Sequence, residues 1–444
     1  MKNLICICGF AIFSTIGSAQ QKPNIVFIVA DDMGWADIGY HNSEIRSPNL
    51  DKLAKTGVEL DYHYVQPQCT PTRVALMTGQ YPTRISAKNA QAHNEETYPI
   101  GTQIMPHMFK DMGYTTAIMG KWHMGCLEQW GPKHHGFDYS YGSYAGAVGM
   151  YDHRYTLTKK PYSITWHRNH ELVEEEGHVT DLVRKEAVEY IHKNKDKPFF
   201  LYLPFHAVHV PLVEKDPKWN EMNKHIQWDD RRLMASAVSH LDDAVGQVVQ
   251  ALDDAGIREN TVIIFTSDNG AWRIHKGDIY PAPDPALSRF SFNHPMRGWK
   301  IDIYEGGMRV PAFVNWPAKL KPYKLKTPMH VIDWMPTLAD LLDYKGEDKY
   351  NWEGVDMWKS IESQYEVDDK REFYFVWGEN RTWEGLRYGD WKIVRKKNNG
   401  VYSKWELFNL ENDPYEAQNL ASSESLKLND LVLRFDKQKQ NDKL

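Results

Sequence analysis

Two pairs of polar residues stand directly after apolar runs, and both pairs offer oxygen atoms as ligands. Asp31 and Asp32 follow the run NIVFIVA, and Asp268 and Asn269 follow TVIIFTS. Carboxylate and amide oxygens suit a hard cation such as Ca²⁺ or Mg²⁺. Either pair alone is equally consistent with a turn or a helix cap. Two such pairs after two buried strands favour a metal site.

A cysteine lies where the sequence predicts the start of a helix, in the stretch QPQCTPTRVALMTGQYPTR. We predict Thr70 as the N-cap and the proline after it in the first turn, which would put Cys69 just outside the helix. Backbone N–H groups and the helix dipole favour negative charge there, and Arg73 adds a cation. This arrangement indicates an oxyanion pocket. The alternatives are a buried apolar cysteine and a disulfide with Cys126.

Basic residues follow two further apolar runs. Lys121 and His123 come after TTAIMG, and His206 and His209 come after FFLYLP. Histidines in H-x-x-H spacing can bind zinc, but partner cysteines are missing and the acidic pairs suit a harder ion. We therefore do not expect zinc at these histidines, which can instead exchange protons near neutral pH.

These groups need elements that bring them together. Apolar runs alternate with helical patterns, which predicts an α/β fold with a mostly parallel sheet. One helix is predicted between Ser47, its N-cap, and Gly57, and a long one at about 229–255. Open α/β sheets bind ligands at the carboxyl ends of their strands, so we expect the polar groups to meet at one edge.

The character of the chain changes near residue 355. After it, the aromatic segments EFYFVWGE, EGLRYGDWKIVRK and SKWELFNLEND precede a helical pattern, which predicts a small antiparallel sheet with a closing helix. Residues 273–299 are predicted to form a long loop. We divide the chain into a signal peptide (1–19), a main domain (20–355) and a C-terminal α+β subdomain (356–444).

The first residues have the composition of an export signal. Lys2 precedes an apolar stretch that is too short to cross a bilayer, and small residues end it at Ala19. We expect no membrane span in the rest of the chain. The net charge of −6 argues against a nucleic-acid partner. The prediction is an exported protein, periplasmic or secreted.

The motif Cys-x-Pro-x-Arg, continued as CTPTRVALMTGQYPTR, resembles the signature of type I sulfatases in the alkaline phosphatase superfamily. The segments PNIVFIVADDMGWADIGYH, GYTTAIMGKWHMG, HGFD, AVHVPL, TSDNG and RGWKIDIYEGGMRVPAFVNWP follow the pattern of that family in its order. The chain is most similar to the arylsulfatase B-like branch. The resemblance implies a large, mostly parallel sheet sandwiched by helices, with a small C-terminal antiparallel sheet plus helix.

The resemblance also implies the chemistry of the site. A separate maturation enzyme would convert Cys69 to formylglycine (3-oxoalanine), whose hydrate would be the nucleophile and a ligand of one Ca²⁺. The other metal ligands would be the oxygen donors Asp31, Asp32, Asp268 and Asn269. The catalytic cations and histidines would be Arg73, Lys121, Lys300, His123 and His209. The arginine would steady the diol oxygens, the lysines would bind sulfate oxygens and the histidines would handle protons. Converted Cys69 could not form a disulfide.

The implied activity is removal of sulfate from a sulfated carbohydrate, either an algal polysaccharide such as ulvan or carrageenan, or a glycosaminoglycan. Loop residues predicted to contact this substrate are Asp152, His153, Arg273 and His275. One alternative is a phosphonate monoester or phosphodiester hydrolase of the same superfamily, and another is an inactive sugar-binding relative. The segments KWH, AVHVPL and RGWK favour sulfate, and the complete set of site residues argues against inactivity.

Overall fold

The structure is a computed structural model, and it describes residues 22–85, 99–156, 163–273, 291–363, 370–378 and 380–443. The predicted signal peptide and His275 lie outside these ranges. In the described ranges, no helix combines the length and the apolar character that a membrane crossing requires.

The strands of the described chain, in order, are β1 (Asn24–Ala30), β2 (Val58–Leu60), β3 (His63–Tyr64), β4 (Thr115–Lys121), β5 (Tyr139–Ser143), β6 (Arg154–Tyr155), β7 (Ser163–Ile164), β8 (Trp166–Arg168), β9 (Glu171–Leu172), β10 (Phe199–Pro204), β11 (Thr261–Ser267), β12 (Ala312–Asn315), β13 (Tyr323–Leu325), β14 (Met329–His330), β15 (Glu372–Trp377), β16 (Trp383–Tyr388), β17 (Trp391–Asn398), β18 (Val401–Tyr402) and β19 (Glu406–Asn409).

The α-helices are α1 (Pro48–Thr56), α2 (Cys69–Thr78), α3 (Met105–Asp111), α4 (Val179–Asn194), α5 (Pro217–Met222), α6 (Asp229–Asp254), α7 (Glu305–Met308), α8 (Trp334–Leu341), α9 (Trp358–Ser363) and α10 (Ser425–Lys439). The two helices that the sequence analysis placed explicitly, α1 and α6, are confirmed.

A ten-stranded sheet forms the centre of the described chain, in the order β13-β2-β12-β11-β1-β10-β4-β5-β8-β9. The strands β11, β1, β10, β4 and β5 run parallel to one another. Antiparallel pairs flank this core, with β12 against β11 on one side and β8 against β5 on the other. The predicted mostly parallel α/β sheet is confirmed.

Helices cover both faces of this sheet, which explains why its central strands are apolar on both sides. Every residue of β1 is buried, as expected for a parallel strand between two helical layers. One face packs against α1, α4 and α6 through side chains such as Leu53, Val183 and Leu241. The other packs against α2, α3 and α8 through side chains such as Val74 and Met108.

The C-terminal part forms the predicted small antiparallel sheet. Its strands follow the order β15-β16-β17-β18, and β19 pairs with β17. Helix α10 packs against this sheet through the fully buried side chains of Leu431 and Phe435. The sheet begins at Glu372, and the domain boundary near residue 355 stays a prediction.

Candidate active site

Polar residues follow four adjacent parallel strands of the large sheet. In the sheet, β11, β1, β10 and β4 are neighbours, so their carboxyl ends meet at one edge. The residues at or just beyond these ends are Asp31 and Asp32 (β1), Lys121 and His123 (β4), His206 and His209 (β10), and Asp268 and Asn269 (β11). The sheet thus collects at one edge the groups that the sequence analysis singled out.

Buried ion pairs connect these groups. Lys300 Nζ donates to both carboxylate oxygens of Asp32, at 2.6 and 2.9 Å. Arg73 Nη2 donates to Asp268 Oδ2 at 2.7 Å, and Lys121 Nζ donates to Asp31 Oδ2. All six side chains are almost completely shielded from solvent. Charges at this depth are stable only with partners or a bound ion.

Backbone contacts place the cations that come from other elements. Arg73 lies on α2, and its Nη1 donates to the carbonyl oxygen of Lys121 at 3.0 Å. Lys300 lies in the segment before α7, where its own N–H donates to the carbonyl of Ala271 at 2.8 Å. The next N–H, of Ile301, donates to the carbonyl of Pro67 at 2.6 Å. The Lys300 segment is therefore attached both to the strand end of β11 and to the approach to α2.

Cys69 is the first residue of α2, with Gln68 in the N-cap position. The prediction that Thr70 caps this helix is wrong, because the Thr70 hydroxyl donates to the carbonyl oxygen of His123 at 3.2 Å. Burial raises the pKa of the Cys69 thiol, while the charges of Lys121 and Lys300 oppose that rise. The thiol therefore lies within the electrostatic reach of both lysines.

The disulfide alternative is not realised. Cys69 and Cys126 are both free and both buried. A structural disulfide would have consumed the thiol at the start of α2.

Two histidines face the buried charges. His209 Nδ1 lies 2.6 Å from the carbonyl oxygen of Val210, so this nitrogen carries the proton. The other nitrogen, Nε2, lies 3.7 Å from Asp32 Oδ2. Burial lowers the pKa of His209 to about 3 although Asp32 opposes the shift. Burial and the nearby charge of Lys121 hold the pKa of His123 well below its usual value. Both rings are therefore neutral when no further anion is bound.

A close glycine defines the position of the His123 ring. His123 has a left-handed backbone conformation, with φ of 56°. A Cβ atom at Gly146 would lie 2.0 Å from His123 Nε2. Because no side chain fits between them, the ring packs directly on the backbone of the segment after β5.

The residues at the ends of β1 and β11 fit a hard cation. Asp31 Oδ1 and Asn269 Oδ1 are buried and have no hydrogen-bond partner among the described residues. Burial raises the pKa of Asp31 to about 8, with Asp268 adding to the rise. Burial also disfavours charge on Asp32, but Lys300 and His209 bring its pKa below the usual value. Unpartnered oxygen donors beside crowded carboxylates are what Ca²⁺ binding would satisfy.

Two of the four residues predicted to contact the substrate, Arg273 and Asp152, are exposed to solvent. Arg273 is exposed, and its guanidinium lies 5.8 Å from the ring centre of Trp299, next to Lys300 in the sequence. Asp152 is exposed, and its Oδ1 accepts from the N–H of Arg154 at 3.2 Å within a turn.

The prediction that His153 contacts the substrate stays a prediction. Its side chain is buried, its Nε2 lies 2.9 Å from the carbonyl oxygen of Gly177, and its ring packs on Trp166. His275 lies outside the described residues.

Two supporting residues were not identified as site residues from the sequence. His206 Nε2 lies 2.6 Å from Ser143 Oγ, and burial and the nearby charges of Lys121 and Arg73 hold the pKa of its ring well below the usual value. Its H-x-x-H spacing was the available signal. Asn293 Oδ1 accepts from the N–H of Ala271 at 2.8 Å and its Nδ2 donates to the carbonyl of Gly298 at 3.0 Å. Nothing in the surrounding loop sequence pointed to this link between the Asp268 and Lys300 segments.

Comparison with known proteins identifies the family of the chain. A family model described as Sulfatase matches residues 23–344, and one described as N-sulphoglucosamine sulphohydrolase, C-terminal, matches residues 298–441. The chain is 30% identical to Arylsulfatase J of Mus musculus, covering 92% of this chain and 74% of that protein. It is 31% identical to N-acetylgalactosamine-6-sulfatase of Rattus norvegicus, covering 84% and 74% respectively.

A solved structure agrees over almost the whole chain. The crystal structure of Ps i-CgsB in complex with k-i-k-neocarrahexaose superposes with a TM-score of 0.83 at 31% identity, covering 95% of this chain and 94% of that chain. The matched sulfatase model spans well over half of the sequence. The chain therefore belongs to the sulfatase family, within the alkaline phosphatase superfamily, and is a sulfuric ester hydrolase.

Proposed function

We propose that this sulfatase releases sulfate from a sulfated carbohydrate through a formylglycine formed from Cys69, with one Ca²⁺ in the site. The ion would be held by the converted residue and by Asp31, Asp32, Asp268 and Asn269. The observation that carries the proposal is the position of Cys69, buried at the start of α2 within reach of Lys121 and Lys300. Hydrated formylglycine supplies a hydroxyl nucleophile when present, and Ca²⁺ stabilises negative charge on oxygen.

The charge balance of the site supports an anionic substrate. Among the described residues that form it, the carboxylates Asp31, Asp32 and Asp268 oppose the cations Arg73, Lys121 and Lys300. A bound divalent cation would keep the Asp31 carboxylate ionised despite its raised pKa, and would give this balanced set a net positive charge. Fixed positive charge in a buried site attracts a sulfate ester and stabilises the charge that develops on its oxygens.

The two lysines would bind the oxygens of the sulfate group. Each already donates to a carboxylate that is a proposed metal ligand, so each ammonium group is held at the strand edge. Arg73 would hold the oxygens of the converted residue, because both lie on the first turns of α2. These side chains are oriented before substrate arrives, so little reorganisation is needed during the reaction.

The histidines would move protons at opposite stages. His123 is neutral, and its buried Nδ1 has no hydrogen-bond partner among the described residues, so it can accept a proton. His209 points Nε2 towards Asp32, and a bound sulfate ester would add negative charge that raises its low pKa. His209 or the Lys300 ammonium would then protonate the leaving oxygen.

A saccharide substrate is supported by the relatives. One relative is named for N-acetylgalactosamine-6-sulfate chemistry, and the solved structure above holds a neocarrahexaose. The rival activity is hydrolysis of phosphodiesters or phosphonate monoesters on the same fold.

The test is release of inorganic sulfate or phosphate over a matched panel. The panel contains defined oligosaccharides of carrageenan, ulvan and glycosaminoglycans, with nitrophenyl sulfate, a phosphodiester and a phosphonate monoester. We expect kcat/KM to be highest for one sulfated oligosaccharide. A higher kcat/KM for the phosphorus esters would favour the rival, and saccharide binding without sulfate release would favour an inactive relative.

We also propose that the protein is exported. The support is the signal-like sequence of residues 1–19. N-terminal sequencing of the protein recovered from the periplasm and medium should find a mature chain beginning near residue 20. Recovery of the full-length chain from the cytoplasm alone would contradict export.

A further inference from the structure

A second group of metal-ligating side chains lies on the surface, apart from the sulfatase residues. Glu128 lies in the short turn Glu128–Trp130, and His134 lies in the next turn, Pro132–His135. His170 lies between β8 and β9. We propose that Glu128, His134 and His170 form a Zn²⁺ site that joins the segment after His123 to the β8–β9 hairpin.

The three ligand atoms converge. His134 Nε2 lies 2.9 Å from Glu128 Oε1, and His170 Nδ1 lies 2.6 Å from the same oxygen. The two ring centres are 5.3 Å apart, and one ligand atom from each residue lies within 4.8 Å of the others. Side chains from two separate segments of the chain therefore point their donor atoms at one small volume.

The backbone holds both parts of this site in place. Gly131 N–H donates to the carbonyl of Glu128 at 2.8 Å, and Trp122 Nε1 donates to the carbonyl of Trp130 at 2.9 Å. On the hairpin side, Asn169 N–H donates to the carbonyl of Ser140 at 2.7 Å. The ligands therefore extend from fixed turns, and binding an ion requires adjustment of side chains only.

The donor set favours zinc over calcium. Two imidazole nitrogens and one carboxylate oxygen suit a borderline ion, whereas Ca²⁺ prefers oxygen. Zinc bonds of about 2.0–2.1 Å place tetrahedral ligand atoms about 3.3 Å apart, so each imidazole nitrogen would move outward from its present 2.9 or 2.6 Å from Glu128 Oε1 to admit the ion. Three protein ligands leave the fourth position to water. The side chains are 35–53% exposed, so an ion can enter from solvent.

The alternative is a cluster without metal, in which both rings donate to one carboxylate oxygen. Zinc binding distinguishes the two. The full chain would be prepared without a histidine tag, stripped with chelator, reloaded with Ca²⁺ and titrated with Zn²⁺ against a chromophoric zinc indicator. The variants are His134→Gln and His170→Gln, and the matched control is His192→Gln, an exposed histidine of α4.

We expect the parent chain and His192→Gln to bind one more zinc ion per chain than either site variant. Comparing variants with the parent removes any contribution of zinc bound elsewhere, including the sulfatase site. Zinc should also raise the midpoint of thermal unfolding of the parent but not of the site variants, while turnover of nitrophenyl sulfate stays the same in all four proteins. Urea transitions without zinc check that the variants fold.

Equal zinc stoichiometry in the parent and both site variants would overturn the proposal, as would a parent chain that binds no zinc. Neither result depends on the formylglycine chemistry, because the readouts are metal content and unfolding temperature. Substitution of cobalt gives a further check. The visible d–d absorption of a four-coordinate Co²⁺ ion should appear in the parent and disappear in Glu128→Gln.

Discussion

At the scale of single residues, Asp32 shows how tightly the site is connected. Its carboxylate accepts from Lys300 and from Asn269 Nδ2 (2.8 Å), and His209 Nε2 lies 3.7 Å away. The same carboxylate is a proposed calcium ligand. A change at this residue therefore alters metal binding, sulfate binding and proton transfer together, so its effect could not be assigned to one role. Substitutions at the partners separate these roles better.

His209→Ala tests the leaving-group role. A sugar alkoxide is a strong base and needs a proton as its bond to sulfur breaks, whereas nitrophenolate can leave without one. General acid catalysis contributes about 10²–10⁴-fold. We expect a loss of kcat of that order on a sulfated sugar and a much smaller loss on nitrophenyl sulfate. Equal losses of kcat on both substrates would transfer the role to Lys300.

His123→Ala provides the matched comparison. Because His123 would act on release of sulfate from the enzyme, which is common to all substrates, both substrates should slow alike. Mass spectrometry of the variant during turnover should find sulfated protein. A selective effect on the sugar would contradict this assignment.

Removal of calcium should lower both activity and stability. Without the ion, the buried oxygens Asp31 Oδ1 and Asn269 Oδ1 lack hydrogen-bond partners in the described chain. At a ligand concentration about 100-fold above its Kd, an ion that binds only the folded state adds about 2.7 kcal/mol to the free energy of unfolding. Chelation should lower the thermal midpoint and abolish turnover, and Ca²⁺ should restore both. Full activity in thoroughly chelated protein would contradict the metal assignment.

At the scale of elements, helices α4 and α6 are joined by an ion-pair group around the buried ring of His240. His240 on α6 lies 2.9 Å from Glu214 Oε2 and 3.4 Å from Asp181 Oδ1, and His178 packs beside it. Burial opposes charge on His240, but hydrogen bonds to Asp181 and Glu214 raise its pKa to about 9. A protonated His240 therefore adds an ion pair to the apolar packing between the two helices.

This contact predicts a pH-dependent stability. Since the folded pKa of His240 exceeds the unfolded value of 6.5, its stabilisation is complete below pH 6.5 and is lost as the pH rises through 9. His240→Gln should lower the free energy of unfolding by about 3 kcal/mol at pH 6 and by much less at pH 10. Urea unfolding at both pH values measures this, with His192→Gln as control. An equal loss at both pH values would show that the charge is unimportant.

Some strands and helices could be predicted from the sequence pattern and others could not. The four central strands could be predicted because each contains an apolar run that is buried on both faces of the sheet. These strands are β1, β4, β10 and β11. The antiparallel edge strands could not be predicted, because a strand as short as β9 has too few residues to show an alternation of apolar and polar side chains. The start of α2 was misplaced because the Thr70 hydroxyl bonds to His123, a contact between residues far apart in the sequence.

In the site, too, local sequence patterns predicted some positions, whereas contacts between distant segments determined others. Residues at strand ends could be predicted, because the carboxyl edge of a parallel sheet is a fixed location. The burial of the His153 ring could not be predicted, because its neighbours Gly177 and Trp166 come from distant segments. Lys300 was assigned only through family resemblance, since its position depends on backbone contacts with Pro67 and Ala271 that no local pattern encodes.

At the scale of the whole molecule, the C-terminal sheet is fastened to the segment that carries Lys300. Lys392 on β17 donates to Glu305 at the start of α7 and pairs with Glu416, both at 2.8 Å and all fully buried. Glu416 Oε2 in turn accepts from the N–H of Glu305 at 2.7 Å. The small sheet therefore stabilises the active-site segment from outside the large sheet.

Lys392→Met should destabilise the protein strongly, because it leaves two buried carboxylates without their cation. Breaking a buried pair in this way costs about 3–5 kcal/mol. The control is Lys396→Met, because Lys396 lies on the same strand at a half-buried position. This substitution should change the free energy of unfolding by less than about 1 kcal/mol. Urea unfolding of both variants measures the difference. Similar values for the two would show that the buried network contributes little.

The central claim is that converted Cys69 is the nucleophile of a sulfuric ester hydrolase. It is tested most directly by measuring sulfate release per chain against the fraction of Cys69 converted. Preparations made with increasing amounts of maturation enzyme would be analysed by mass spectrometry of the Cys69 peptide. We predict that the rate of sulfate release rises in proportion to the aldehyde fraction, from zero in the unconverted protein. Full activity with unmodified Cys69, or no activity after complete conversion, would contradict the claim.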